Sequence, residues 1–191
     1  AVVVPLGAVL VRSVFVAGEL TTEALSRILG SARTWRIVGL TIGQAVVSSL
    51  AAVMVGVPVA RVLARYEFRG RTTLRSLATV PFVLPSVVIA AAFSTLLGPS
   101  GVVDLRGTWW AVIAAHVCFN LAVVIRLVGA AFSAVDPDLE AAARLSGAST
   151  LAIQRRIVLP LVAPAVFSSL VIVFLFCLTS FGVIVVLGGG W

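Results

Sequence analysis

The chain has 191 residues, 61% of them hydrophobic and 11% charged, with a mean hydropathy of +1.19. A soluble domain of this length cannot keep so apolar a composition away from water, so the sequence reads as a membrane protein. The formal net charge of +7 comes from 14 basic residues, all arginine, against 7 acids. These arginines sit at the ends of apolar runs, as membrane proteins place them, which argues against nucleic acid as a partner.

The first apolar run, about 1–16, reads as a partial span whose helix starts upstream of the sequence. Residues 18–34 set Leu20, Ala24, Leu25, Ile28 and Leu29 at helical spacing, predicting a short helix on the outer surface. Spans are then expected at about 36–63, 76–97, 109–127 and 159–187, with apolar cores of 24, 21, 17 and 23 residues. Each core reaches the roughly 17–25 residues that a hydrocarbon layer of about 30 Å requires. Gly39-x-x-x-Gly43 predicts a close helix approach, and Pro58, Pro81 and Pro85 predict kinks. Residues 1–191 thus read as one all-α, polytopic membrane domain, truncated at both ends.

Arginine placement orients it. Arg61, Arg65, Arg69, Arg71 and Arg75, with Arg126, Arg144, Arg155 and Arg156, put nine on one side. Arg12, Arg27, Arg33, Arg36 and Arg106 put five on the other. Positive-inside bias assigns the nine to the cytoplasm and leaves Trp35, Trp109 and Trp110 at the outer interface.

Polar residues inside the spans are few: Gln44, His116, Asn120, Thr179 and Ser180 stand out. Such groups face other helices or a water-filled path. His116 and Asn120, one turn apart on one face, and Thr179 with Ser180, are candidates for the translocation path. For His116 and Asn120, interhelical hydrogen bonding is the equal alternative. Cys118 and Cys177 both fall within spans, which argues against a structural disulfide, and these residue types build no convincing metal site. No catalytic constellation is recognisable. A phosphate-binding loop needs lysine, which the sequence lacks, so any ATP that drives this protein is bound, with Mg, by a separate subunit.

The sizeable polar stretch between two apolar runs is the loop 136–158. Asp136-Pro137-Asp138 is a helix start, with a capping acid, a proline for the first turn and a second acid favoured by the dipole. Gly147 permits a sharp corner, and Pro160 is expected to restart a helix that enters the membrane. A short helix, a corner and a second helix on a cytoplasmic surface make a docking device.

This spacing resembles the EAA loop of permease subunits in binding-protein-dependent ABC importers. That pattern is Glu-Ala-Ala, three residues, Gly, nine residues, Ile, any residue, Leu-Pro. Gly147, Ile157, Leu159 and Pro160 fall in register, with Ala148 and Ser149 completing the corner. The glutamate is one position early: Glu140 precedes the strict slots, which hold Ala141, Ala142 and Ala143. Glu140 is therefore expected to support the helix start, with Ala141 facing the partner.

Further segments, Ala115-His116-Val117-Cys118-Phe119-Asn120, the run 65–71, Pro81-Phe82-Val83-Leu84-Pro85 and Thr179-Ser180-Phe181-Gly182, are similar to the ferric-iron and thiamine importer permeases. The resemblance implies a multi-pass subunit of the bacterial inner membrane with no catalysis of its own. It also implies a cytoplasmic ABC ATPase dimer carrying ATP and Mg, an extracytoplasmic solute-binding protein, and a second permease half. The rival readings are an ATP-independent channel, a secondary transporter or a membrane scaffold. Coupled transporters often carry intramembrane acids, and no carboxylate lies in these spans.

Overall fold

The computed structural model describes residues 15–16, 19–20, 29–99, 101–105 and 107–188. Contacts divide the chain into two compact units, 1–42 and 43–191. In the first, Phe15–Val16 (β1) and Glu19–Leu20 (β2) pair antiparallel, Phe15 opposite Leu20. The partial span over 1–16 and the surface helix over 18–34 fall mostly outside the described residues. Of the described residues in these ranges, Phe15, Val16, Glu19 and Leu20 are extended, their backbone groups paired in the hairpin, whereas 29–30 and 32–34 are helical.

Helix α1 (Ala32–Arg65) buries Gln44, Ala45, Ser48, Ser49, Ala52, Gly56, Ala60 and Leu63. These recur every three or four residues and are nearly all small, so a neighbouring backbone can come close. The closest approach is at Gly56, where a Cβ would stand 2.6 Å from Cγ1 of Val124. This corrects the expectation for Gly39-x-x-x-Gly43. Among the described residues nothing lies within 4 Å of a Cβ at Gly39, and Gly43 meets only Trp109, at 3.8 Å. The spacing of a glycine pair does not say which helix face is covered.

Gly70, at φ +93°, makes the left-handed turn into α2 (Arg71–Val83). From there Arg71 Nε and Arg75 Nη2 donate to the carbonyl of Leu63 at 2.8 and 3.2 Å. Two arginines of the first turns of α2 thus satisfy an end-of-helix carbonyl of α1, where cations are favoured. Leu84 is extended at ψ 145°, as a residue preceding proline tends to be, and α3 (Ser86–Leu96) leaves Pro85 at 105° to α2. The span expected over 76–97, with kinks at its prolines, is a pair of helices broken at Pro85.

Helix α4 (Trp109–Ala134) runs one to two turns past its expected end. The last apolar run is also interrupted. Helix α7 (Leu159–Leu178) stops at Thr179 and Ser180, and α8 (Phe181–Leu187) follows. One core cluster joins Ala45, Ala52 and Ala60 of α1 to Val124, Val128 and Phe132 of α4 and to Val162, Val173 and Cys177 of α7. A second joins Ala90 of α3, Ala111, Val112 and Ala115 of α4, and Val183 and Leu187 of α8. The two broken runs therefore pack their terminal halves together around the start of α4. By length and composition three helical stretches, 32–65, 109–134 and 150–178, are able to cross a membrane, with α2 and α3 a fourth if they form one bent span.

Candidate functional site

The segment after α4 folds as a helix, a corner and a second helix. In α5 (Pro137–Leu145), Asp136 Oδ1 accepts from the amide of Asp138 at 2.9 Å and Pro137 occupies the first turn. At the other end the amide of Ala148 donates to Ala143 O (3.0 Å) and that of Gly147 to Arg144 O (2.9 Å). This is the paired closure that a left-handed residue makes possible, and Gly147 supplies it at φ +83°. Ser149 then caps α6 (Thr150–Ile153), its Oγ accepting from the amide of Ala152 at 3.3 Å.

Pro160 does not restart the helix. Residues 150–178 are one helical stretch, widened to a π-turn over Gln154–Val158, where the amide of Leu159 reaches back to Gln154 O. Proline has no N–H, and its ring crowds the carbonyl four residues back. Widening the preceding turn removes that conflict without ending the helix.

The corner has two faces. Glu140, Ile153 and Val158 are buried, and Ala143, Ala148 and Ile157 pack against the larger core cluster. Ala141, Ala142, Gly147, Ser149, Leu159 and Pro160 are exposed. So are three large apolar side chains of the loop: Leu139 at 50%, Leu151 at 63% and Leu145 at 92%. Arg144, Arg155 and Arg156 lie exposed among them.

Glu140 turns inward, away from that face. Its Oε1 lies 2.5 Å from Nη2 of Arg65, the last residue of α1, and Oε2 lies 3.8 Å from Nη2 of Arg144. Arg61, Tyr66 and Gln154 join this group around a polar cavity of about 260 Å³. Arg144, one turn along, is a neighbour that helix spacing alone would offer Glu140, whereas Arg65 is 75 residues away, and no local pattern announces a contact between the end of one helix and the start of another.

The polar residues of the spans separate into two places. His116 and Asn120 are wholly buried between α1, α4 and α7. His116 Nδ1 lies 3.1 Å from Ser48 Oγ. Asn120 Nδ2 donates to His116 O at 2.9 Å and to Cys177 Sγ at 3.6 Å, while Gln44 Nε2 donates to Cys177 O at 3.2 Å. Gln44 Oε1, His116 Nε2 and Asn120 Oδ1 have no partner among the described residues. Thr179 and Ser180 are elsewhere, at the break between α7 and α8, where Thr179 Oγ1 bonds Leu175 O at 2.9 Å. Cys118 and Cys177 are both free thiols.

Residues 52–190 match the family described as binding-protein-dependent transport system inner membrane component. The chain belongs to that family. It is 31% identical over 170 residues to the thiamine transport system permease protein ThiP of Brucella suis, a match covering 82% of this chain and 31% of that protein. It is 32% identical over 169 residues to a probable molybdenum ABC transporter permease of Haloferax volcanii (86% and 61%). With the sulfate transport system permease protein CysT of Salmonella typhimurium the figures are 29% over 159 residues (78% and 57%). The chain therefore spans about a third of the length of ThiP, and less than two thirds of the other two. Its fold is that of a chain in the crystal structure of a bacterial ABC transporter involved in alginate import. The TM-score is 0.78 at 20% identity, over 96% of this chain and 71% of that one. The family is one of inner membrane permease components, which sets the helical bundle in a membrane.

Proposed function

We propose that this chain is the permease part of an ATP-driven solute importer, and that the α5–α6 corner docks on a cytoplasmic ATPase. The observation that carries the reading is the exposure of Leu139, Leu145 and Leu151 on a capped corner beside Arg144, Arg155 and Arg156. Large leucines held out in water on a loop with a packed inner face suit a surface that another protein covers. The arginine asymmetry supports placing this corner in the cytoplasm.

In this reading Ala141, Ala142, Gly147 and Ser149 admit the partner closely, and Ala143, Ala148, Ile157 and the π-turn before Leu159 and Pro160 carry its movement into α7. Glu140 ties the corner to α1 through Arg65, so docking moves two helices together. ATP and Mg stay on the ATPase dimer. A solute-binding protein delivers from outside, and a second permease half completes the path. His116 and Asn120 hold α1, α4 and α7 together, while Thr179 and Ser180, at a helix break, are the better candidates to meet solute. The solute is a small molecule of the thiamine type, on the similarity to ThiP; ferric iron rests on the motif resemblance alone.

The test uses the full-length permease co-expressed with its ATPase. Leu145→Glu combined with Leu151→Glu leaves membrane insertion intact and abolishes co-purification of the ATPase and solute uptake. Undiminished co-purification would sink the docking assignment.

A further inference from the structure

We infer that the cavity between α2, α4 and α7 is a binding site for an anionic phospholipid of the cytoplasmic leaflet. The cavity has a volume of about 630 Å³, within the range of sites that hold small amphiphilic ligands. Its lining is sorted by depth. Arg75, Thr79, Arg126 and Ser133 supply the polar groups, and Phe82 and Phe176 the far apolar wall. No acid lines it, so the charge it presents is positive only.

The depth of these groups identifies the ligand. Arg126 lies seventeen residues along α4 from Trp109 (126 − 109), about 25 Å at helical rise. With Trp109 at the outer interface, that distance brings the guanidinium near the inner edge of a hydrocarbon layer of about 30 Å, the level of lipid phosphates. Arg75, one turn into α2, lines the same cavity. Phe82 reaches across to Phe119 and Phe176, with ring centroids 5.7 and 6.1 Å apart. Phe119 is ten residues from Trp109 (119 − 109), about 15 Å, close to the bilayer midplane. The site thus runs from phosphate level to the midplane, the extent of one leaflet, cationic at one end and aromatic at the other. Arg126 has no hydrogen bond or ion pair among the described residues, and a cation at that depth is stabilised by an anion beside it. A soluble oxyanion would use the two arginines but not the apolar length between them and the phenyl rings.

The inference rests on the proposed orientation, and its test is independent of ATPase docking. The full-length permease complex is purified in detergent, and retention of added phosphatidylglycerol is compared with that of phosphatidylcholine by native mass spectrometry. Phosphatidylglycerol is preferred. Arg75→Gln or Arg126→Gln lowers its retention about fivefold each, and the double substitution about thirty-fold. Arg69→Gln, an exposed arginine outside the cavity, changes nothing. Equal retention of the two lipids, or of phosphatidylglycerol by wild type and double variant, overturns the site. So does protection of Arg126 from arginine-modifying reagent by sulfate but not by phosphatidylglycerol, which reassigns the cavity to a soluble oxyanion. ATPase co-purification, scored on the same samples, reports on the docking assignment separately.

Discussion

Helix α1 ends in a charged cluster and carries a neutral one at its middle, and the two use polarity differently. At Arg65, Glu140 and Arg144 the charges compensate one another at the rim of the bundle, with the Glu140 side chain 12% exposed and that of Arg65 23%. At Gln44, Ser48, His116 and Asn120 the side chains are at most 2% exposed, and none is an acid or an arginine. Ionised groups are tolerated where water or a lipid headgroup is near and are costly in a bundle interior. The charged cluster joins elements 75 residues apart at the proposed docking corner, whereas the neutral one fixes how three helices pack.

The largest effect comes from exchanging the two chemistries. Asn120→Asp sets a carboxyl in the neutral cluster at a cost of about 3 kcal/mol. Folded protein extracted from membranes, read by size-exclusion chromatography, falls sharply, whereas Asn120→Leu loses only about 1 kcal/mol. Equal yields from the two variants would erase the distinction between the clusters.

Next is Glu140→Ala, which strands the partly buried Arg65 and costs about 1–3 kcal/mol, between the values for fully buried and exposed pairs. The reciprocal exchange Arg65→Glu with Glu140→Arg restores only part of that loss in a thermal melt, because it re-forms the pair but sets an arginine beside Arg61 and Arg144. A swap as damaged as the single variant would show that the 2.5 Å contact does not hold the corner. The smallest effect is that of Gly147→Ala, about 1 kcal/mol for a left-handed alanine. No atom lies within 4 Å of the added Cβ, so the cost is conformational only. A loss as large as that of Glu140→Ala would mean that the corner is packed against something in the isolated permease.

Much of the corner is legible without the fold, because a helix end is a local problem. Asp136, Pro137, Gly147 and Ser149 each satisfy or replace a backbone group within a few residues. The breaks are only partly so. Pro85 ends α2 as proline should, while Pro160 is absorbed by a π-turn, and the choice depends on what each helix packs against. Nothing in the sequence distinguishes Gly39 from Gly56, since both lie in the same apolar helix and only Gly56 meets another one.

By itself, then, the sequence determined the apolar runs and the local chemistry of the proposed docking corner, which follow from hydropathy and from hydrogen bonds a few residues long. Tertiary structure alone decided that Glu140 pairs with Arg65, that His116 and Asn120 bond between helices, and that Arg75 and Arg126 open on one cavity. Those contacts join residues about 50 or more positions apart, and their energy depends on helix faces that only packing chooses.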